Sequence, residues 1–328
     1  MTVPARQTPR RGLVLGGGGV LGGTWAVGAL AAMEQQFGFS AADADIIVGT
    51  SAGSVIAALV GAGVTVDQLR HHYVDDAVPD GPLAGYAFDP VQATGGSRPG
   101  IPKLLGPGSP RLIGSSLRRL GQVPATTLVS AFMPEGTRSL ERIGHLVDAV
   151  TPLGEWSPHR GVWVVAMDYE DGKRVVFGRP GSPVVPLSSA VVASCSIPGW
   201  FQPVVIKGRT YVDGGAVSAT SVDVLAHAGL DEVYVVAPMV SFATDRPSSV
   251  AARLERRWRG QLTKAARQEA AVVRAAGATV RMVGPGPEDL VAIGANLMDD
   301  TRRRFVLETS LRTSVEAWRA ADEVADTG

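Results

Sequence analysis

The chain has 328 residues, of which 45% are hydrophobic and 19% are charged, a composition typical of a folded domain with a sizeable apolar core. Its 31 Lys and Arg balance its 31 Asp and Glu, so it lacks the basic excess of a nucleic-acid-binding protein. The single cysteine, Cys195, excludes an intramolecular disulfide and a zinc site built from cysteines.

The chain opens with a short arm and two strand–loop–helix units. We expect residues 1–10 to form a flexible arm, whose polar sequence lacks the apolar core of a secretory signal. A strand at 12–15 precedes four glycines and a helix pattern from Gly23, and "DIIVGTSAG" repeats the order before a second helix. Two such units in succession predict a parallel α/β sheet.

The stretch 79–134 interrupts this pattern because it is rich in Gly and Pro. We interpret it as a lid-like insertion, with a disordered surface loop as the alternative. Regular elements then return as strand patterns at 162–167, 174–177, 203–213, 232–238 and 279–285 and as helix patterns at 253–277 and 301–325. We therefore expect a single domain over residues 11–328, in which residues 249–328 supply the C-terminal helices.

The location of the protein is predicted from its apolar segments. No apolar run is long enough to span a bilayer, so we expect a cytoplasmic protein, with peripheral membrane contact left open. Segments 100–106 and 111–121 of the insertion combine apolar and basic residues. They are suited to contacting a membrane or covering an acyl groove, and packing on the core is the alternative.

The pentapeptide "GTSAG", residues 49–53, fits G-x-S-x-G between a predicted strand and a predicted helix. In that setting the serine stands exposed on a sharp turn, while Gly49 and Gly53 remove side chains that would collide there. The positive end of a helix beginning at Ala52 would lie near a developing anion. Serine is also a common helix N-cap, but the strand–turn–helix context favours Ser51 as a nucleophile.

The glycine-rich loop "LGGGGVLGG", residues 15–23, is suited to stabilising such an anion. The N–H groups of Gly17, Gly18 and Gly19 can converge on the oxygen of a reacting ester without side chains in the way. The loop therefore predicts an oxyanion hole.

Dinucleotide binding is the rival interpretation, because Gly17, Gly19 and Gly22 satisfy G-x-G-x-x-G. That motif also requires an acidic residue after the second strand, where it holds the ribose hydroxyls. Here the second strand ends in "GTSAG", and Asp43 and Asp45 precede it. The loop therefore fits ester chemistry better than nucleotide binding.

A base for the serine is predicted at Asp213 in "TYVDGGA", where a strand ends in an acid followed by Gly214 and Gly215. Active sites of open α/β folds collect at this end of their strands. A carboxylate is a weak base, so partial burial would have to raise its pKa. A simple turn is the alternative, since Asp and Gly both favour turns.

Histidines are the other candidates for the base. The chain has five of them: His71, His72, His145, His159 and His227. We expect His71 and His72 to be exposed helix residues, and no motif surrounds His145 or His159. Only His227 follows the chain order Ser–Asp–His, so a triad through His227 is an alternative to a Ser–Asp dyad.

Together, the glycine-rich loop, the G-x-S-x-G motif and the late D-G-G resemble the patatin-like phospholipase family of serine lipid acyl hydrolases. The segment "SSAVVASCSIPGWFQPV", residues 188–204, is similar to the family's segment ahead of the aspartate. The resemblance runs from Gly12 to about Met239 and leaves out the insertion and the C-terminal helices.

This resemblance implies a three-layer α/β/α sandwich with a mostly parallel central sheet. It implies a Ser–Asp dyad in which Ser51 is the nucleophile and Asp213 is the base, with an oxyanion hole at Gly17, Gly18 and Gly19. The reaction implied is cleavage of a fatty acyl ester through an acyl-enzyme, with no metal and no cofactor.

The chain departs from the family's pattern at three places, one of which is an extra glycine before the first helix. Leu21 stands where the family usually carries Arg or Lys, which removes a positive charge near the loop but leaves its backbone donors intact. After Gly215 the family often continues with Asn and Pro, whereas this chain reads "AVSATSV". We interpret Cys195, inside the resembling segment, as a small buried residue rather than a nucleophile.

We therefore expect a serine lipid acyl hydrolase that acts on a fatty acyl ester or a phospholipid and has no nucleic-acid partner. The alternative is a non-catalytic α/β protein that binds a nucleotide or phosphate at the glycine-rich loop. The sequence carries no expectation for the oligomeric state.

Overall fold

The computed structural model describes residues 8–86, 109–118, 125–243, 245, 247 and 250–326. Its strands are β1 (Arg11–Leu15), β2 (Ile46–Thr50), β3 (Val162–Asp168), β4 (Arg174–Phe177), β5 (Val204–Ile206), β6 (Arg209–Asp213), β7 (Glu232–Val236) and β8 (Thr279–Val283). Its α-helices are α1 (Gly19–Phe37), α2 (Ala52–Gly61), α3 (Val66–Tyr73), α4 (Pro110–Arg118), α5 (Ala125–Phe132), α6 (Glu141–Val150), α7 (Leu187–Cys195), α8 (Val250–Ala275), α9 (Pro287–Ile293) and α10 (Arg303–Asp326). Short 3₁₀ turns occupy Ala41–Asp43, Gly214–Ala216, Val222–Leu225 and Asp300–Arg302.

The strands form one sheet in the order β5–β6–β3–β2–β1–β7–β8, with β4 also paired to β3. Neighbouring strands from β3 through β2, β1 and β7 to β8 run parallel. By contrast, β4 and β6 both run antiparallel to β3. The expectation of a mostly parallel sheet is confirmed.

Two apolar layers cover the two faces of the sheet, because successive side chains of a strand point to opposite faces. On β1, Leu13 and Leu15 join the core that contains side chains of α1, α2 and α10, whereas Val14 joins the core that contains side chains of α8. Helices therefore pack on both sides of the sheet. This arrangement is the three-layer α/β/α sandwich expected from the sequence.

The first helix starts earlier than predicted. The pattern placed its beginning at Gly23, but α1 begins at Gly19, inside the glycine run. The N–H of Gly22 already donates to the carbonyl of Gly18 at 3.0 Å, so the helical hydrogen bonds close within the loop itself. Glycine's low helix propensity hides this start from sequence patterns. The N-terminal end of α1 therefore faces the cleft described below.

The predicted insertion, 79–134, contributes α4 and α5. Residues 87–108 and 119–124, which include the apolar segment 100–106, lie outside the described residues. No helix in the part of the chain that the structure describes has the length and hydrophobicity needed to cross a membrane.

Residues 1–7 of the predicted arm also lie outside the described residues. The last residue of that arm, Arg10, is held in place just before β1. Its N–H donates to Asp231 at 2.7 Å, and its guanidinium donates to the carbonyls of Ala228 at 3.0 Å and Gly229 at 2.9 Å. These bonds tie the loop ahead of β7 to the N-terminal end of β1.

Candidate active site

Two strands bring the predicted nucleophile and the predicted base together. β2 and β6 pair with consecutive stretches of β3, so that Thr50 lies opposite Val165 and Asp213 lies opposite Ala166. Because β6 runs antiparallel to β3, its last residue arrives beside the point where β2 ends. Ser51 and Asp213 consequently border the same cleft.

The turn at Ser51 is sharp and strained. Its φ of 52° and ψ of −126° lie in a backbone region that residues other than glycine rarely adopt. A Cβ on Gly53 would lie 2.0 Å from the carbonyl oxygen of Leu15, and one on Gly49 would lie 2.5 Å from the Cα of Ser54. Glycine is therefore required at both ends of the pentapeptide by the close approach of neighbouring backbone.

Ser194, on α7, connects the turn at Ser51 to β3. The N–H of Ser51 donates to the Ser194 hydroxyl at 2.8 Å, and that hydroxyl donates to the carbonyl of Val165 at 2.6 Å. Ser194 is completely buried, so this bridge has no competition from water. Ser194 lies inside the segment 188–204 that resembles the family, but the sequence alone assigned it no role.

The Asp213 carboxyl is buried, with only 5% of the residue exposed. Burial raises its pKa to about 6, although the Gly215 N–H, which donates to it at 2.7 Å, and the Ser51 hydroxyl both favour the ionised form. At neutral pH the group is mostly ionised, and it is a stronger base than an exposed aspartate. These are the two properties required for taking a proton from a serine.

Cys195 follows Ser194 and is buried, as predicted. Burial raises the pKa of its thiol, and the nearby charge of Asp213 raises it further. The thiol is therefore protonated at neutral pH and is a poor nucleophile. It contributes packing beside Ser51.

The glycine-rich loop borders the same cleft through Gly17, Gly18 and Gly19. The N–H of Gly17 is already donated to the carbonyl of Ala219 at 3.0 Å. The N–H groups of Gly18 and Gly19 donate to no protein acceptor in the described part of the chain. Two of the three predicted donors are therefore available to a ligand, while the third fixes the loop to the segment that follows Asp213.

Two of the histidines lie in very different places, and neither is positioned as the base. His227 is exposed in the loop that Arg10 ties to the N-terminal end of β1. Ser51 follows the C-terminal end of the neighbouring parallel strand, so His227 lies at the opposite end of the sheet. The prediction that His72 is exposed is wrong: it is buried, and burial lowers its pKa to about 4. Its side chain lines an apolar chamber, where a neutral imidazole packs better than a charged one.

Ser51 stands between two spaces of different shape. One is a narrow chamber of about 100 Å³ whose lining is mostly apolar: Val55, Leu140, Ile143, Leu146, Phe201 and Met298. The other is a wider cleft of about 470 Å³, which contains Asp213 and the glycine-rich loop. An ester carbonyl at Ser51 can therefore place an apolar chain on one side and the rest of the molecule on the other.

A metal site is not evident in the described residues, where no group of three or more His, Cys, Asp and Glu side chains could hold an ion. The nucleotide interpretation also lacks its acidic residue, because β2 ends at Thr50 and is followed directly by Ser51.

Comparison with known proteins adds three findings. A family model described as patatin-like phospholipase matches residues 13–226. Among solved structures, the chain is similar to VipD from Legionella pneumophila, with 13% identity and a TM-score of 0.46 over 96% of this chain and 67% of that one. It is also similar to the type III effector protein ExoU, with 14% identity and a TM-score of 0.37 over 95% of this chain and 53% of that one. This chain therefore spans about half the length of the ExoU chain.

Proposed function

Because this chain belongs to the patatin-like phospholipase family, we propose that it hydrolyses fatty acyl esters of lipids through a dyad of Ser51 and Asp213. One observation carries the proposal above the others. A strained serine and a buried carboxylate with a raised pKa share one cleft with two backbone N–H groups that have no protein acceptor within the described residues.

The first step transfers the acyl group to the enzyme. The Ser51 oxygen attacks the ester carbonyl carbon while Asp213 takes the hydroxyl proton, and the carbonyl oxygen becomes an oxyanion. The N–H groups of Gly18 and Gly19 and the N-terminal end of α2 stabilise that charge. The carbon–oxygen bond to the alcohol then breaks, and Asp213 returns the proton to the departing oxygen.

The second step releases the fatty acid. A water molecule attacks the acyl-enzyme carbonyl, Asp213 takes a proton from it, and the same N–H groups stabilise the second oxyanion. The bond to Ser51 breaks and the serine oxygen recovers a proton from Asp213. The products are a free fatty acid and the unmodified enzyme, and both steps use the same three groups.

The substrate class follows from the two spaces beside Ser51. The narrow apolar chamber suits part of an acyl chain, and the wider cleft, which is also mostly apolar, has room for the rest of the ester. Leu21 is completely buried, so it presents no charge to the cleft at the position where the family usually carries Arg or Lys. We therefore propose a phospholipid, lysophospholipid or neutral acyl ester as substrate.

The test is release of fatty acid from mixed micelles of a phosphatidylcholine, compared between the wild-type chain and Ser51→Ala. We expect loss of at least about 10⁴-fold in kcat/KM, since removing a catalytic serine leaves only the contribution of binding and the oxyanion hole. His227→Ala is the matched control. Full activity in that variant supports a dyad, whereas a loss of several orders of magnitude would require the triad. Equal hydrolysis by Ser51→Ala and wild type would refute the proposal.

A further inference from the structure

The helix α8 carries an exposed row of apolar side chains. Val250, Leu254 and Trp258 are 70%, 60% and 48% exposed, and their spacing of four residues puts them along one side of the helix. Leu262 continues the row one turn further and lines the cleft together with Trp258. The row therefore runs from the molecular surface to the mouth of the active-site cleft.

The helix α5 supplies apolar side chains at the same mouth. Val129 is 61% exposed and Phe132 is 47% exposed, and Val129 lines the cleft that Trp258 and Leu262 also line. We call these six residues the apolar rim: Val129, Phe132, Val250, Leu254, Trp258 and Leu262. Isolated apolar residues are common on protein surfaces, but several exposed apolar side chains on two helices that both reach one cleft indicate an interaction site.

Positive charge accompanies the apolar rim. Arg253, Arg257 and Lys264 are exposed on α8, and within the described residues none of them forms an ion pair. Two other arginines of the same helix are neutralised, since Arg256 pairs with Asp245 and Arg259 pairs with Glu255. The helix thus carries exposed positive charges that no ion pair within the described residues neutralises.

The buried side of α8 fastens this surface to the active site. Arg259 donates to the carbonyl of Pro238 at 2.5 Å, and Pro238 packs against the glycine-rich loop, where a Cβ on Gly18 would lie 2.7 Å from it. Further along, Glu269 accepts a bond from the Thr220 hydroxyl at 2.6 Å, in the segment that follows Asp213. These contacts therefore link α8 to the glycine-rich loop and to the segment that follows Asp213.

We propose that the apolar rim docks the enzyme on an anionic lipid bilayer, so that an acyl ester passes from the bilayer into the cleft without crossing water. The inference rests on the proposed function, since docking brings a substrate to the cleft, but binding to vesicles can be measured without catalysis. Burial of the apolar row in the headgroup region supplies the affinity, and the unpaired cations supply the preference for anionic lipid. An acidic protein could also bind the positive charges. The apolar row leads into the cleft, however, and this favours the lipid bilayer that holds the substrate.

The experiment measures co-sedimentation with vesicles, using Ser51→Ala protein so that no lipid is consumed. One set of vesicles is pure phosphatidylcholine and the other contains phosphatidylglycerol and phosphatidylcholine in equal amounts. We expect at least tenfold stronger binding to the anionic vesicles. Adding Leu254→Ser and Trp258→Ser should lower that binding at least tenfold, because each removed apolar side chain lowers the membrane partition.

Two further variants serve as charge probe and control. Arg257→Gln with Lys264→Gln should weaken binding to anionic vesicles by about fivefold for each charge removed, and should leave binding to phosphatidylcholine unchanged. Leu153→Ser with Val184→Ser removes two apolar residues that are 81% and 83% exposed and do not line the cleft. This control should bind as the parent does, and unchanged melting temperatures would show that all variants fold.

Three results would overturn the proposal. The first is equal binding by the parent and by the variant with Leu254→Ser and Trp258→Ser. The second is absence of binding to both kinds of vesicle. The third is a dimer in size-exclusion chromatography that Leu254→Ser with Trp258→Ser dissociates. The last result would assign the apolar rim to a second copy of the chain. Hydrolysis of a short-chain, water-soluble ester separates the two proposals, because its absence in otherwise wild-type protein would reject the catalytic function while leaving the vesicle result standing.

Discussion

The catalytic edge of the sheet and the apolar rim border the same cleft, yet they are constructed in opposite ways. At the edge, Ser51 and Asp213 are placed by backbone register. The Ser51 N–H donates to Ser194, and the Asp213 carboxylate accepts from the Gly215 N–H. At the rim, apolar side chains project from α5 and α8 into solvent. Precise placement of two reacting groups needs a rigid sheet, whereas contact with a fluid bilayer needs only area and charge.

This difference separates two kinds of substitution. A change at the catalytic edge should impair hydrolysis of every ester, whether it is dissolved or held in a bilayer. A change at the apolar rim should impair hydrolysis only when the substrate is in a bilayer. The kinetic predictions below are therefore measured on a short-chain soluble ester and on anionic vesicles.

The largest of these effects is expected for Asp213→Asn, which keeps the shape of the side chain but removes the proton acceptor. Loss of a general base typically costs 10²–10⁴-fold, so we expect kcat/KM to fall by about 10³-fold on both substrates. Steady-state kinetics checks this directly. If the variant lost activity on vesicles but kept it on the soluble ester, Asp213 would not be the general base.

A smaller loss is expected for Gly19→Ala. Gly19 has a φ of 62°, and a Cβ there would lie 3.0 Å from the Met298 sulfur, so the new side chain would displace the loop and its N–H groups. Loss of one oxyanion donor costs about 10²-fold in kcat or more. Gly260→Ala is the control, since a Cβ at Gly260 meets nothing within 4 Å. Equal activity in Gly19→Ala and Gly260→Ala would show that Gly19 does not contribute to the oxyanion hole.

The catalytic edge should also carry a cost in stability. In the folded chain the Asp213 pKa is raised to about 6, so the folded state binds that proton more tightly than the unfolded state does. The stability contributed by the protonated carboxyl is full below about pH 4 and is lost as pH rises through about 6. Asp213→Asn should therefore raise the free energy of unfolding by about 3 kcal/mol at pH 8 and leave it nearly unchanged near pH 4.

Urea unfolding at the two pH values measures this difference. A variant that is destabilised at pH 8 would show that the ionised carboxylate holds the fold together, which is the reverse of what its burial implies.

The smallest effect is expected at the apolar rim itself. Phe132→Ser removes one half-exposed aromatic side chain from α5, which lies beside the cleft without lining it. We expect turnover on anionic vesicles to fall by about fivefold, because one side chain contributes part of the membrane affinity. Hydrolysis of the soluble ester should stay unchanged, and a parallel loss on both substrates would mean that Phe132 supports the cleft rather than the docking surface.

Local patterns in the sequence were sufficient for the sheet and for the candidate dyad. Buried strands followed by glycine turns predicted the parallel order, and "GTSAG" and "DGG" singled out Ser51 and Asp213, which the fold brings to one cleft. Their meeting depends on the antiparallel pairing of β6 with β3, a contact between segments far apart in the chain. Local patterns do not contain that register, and the family resemblance implied the dyad without it.

Other features required tertiary structure. The engagement of the Gly17 N–H by Ala219, the bridge through Ser194 and the burial of His72 are all set by packing between distant segments. The apolar row on α8 has a spacing of four residues in the sequence, but this spacing does not show what the row borders. The structure places Trp258 at the active-site cleft and so shows that the row leads to the cleft.

The most direct test of the Ser51–Asp213 dyad is the rate of covalent labelling by a fluorophosphonate as a function of pH. We expect Ser51→Ala to stay unlabelled and the wild-type rate to fall about tenfold for each pH unit below about 6, where Asp213 becomes protonated. In Asp213→Asn, labelling should be slow and independent of pH over this range. Labelling of Ser51→Ala at the wild-type rate, or a wild-type rate that does not change between pH 5 and pH 7, would contradict the dyad.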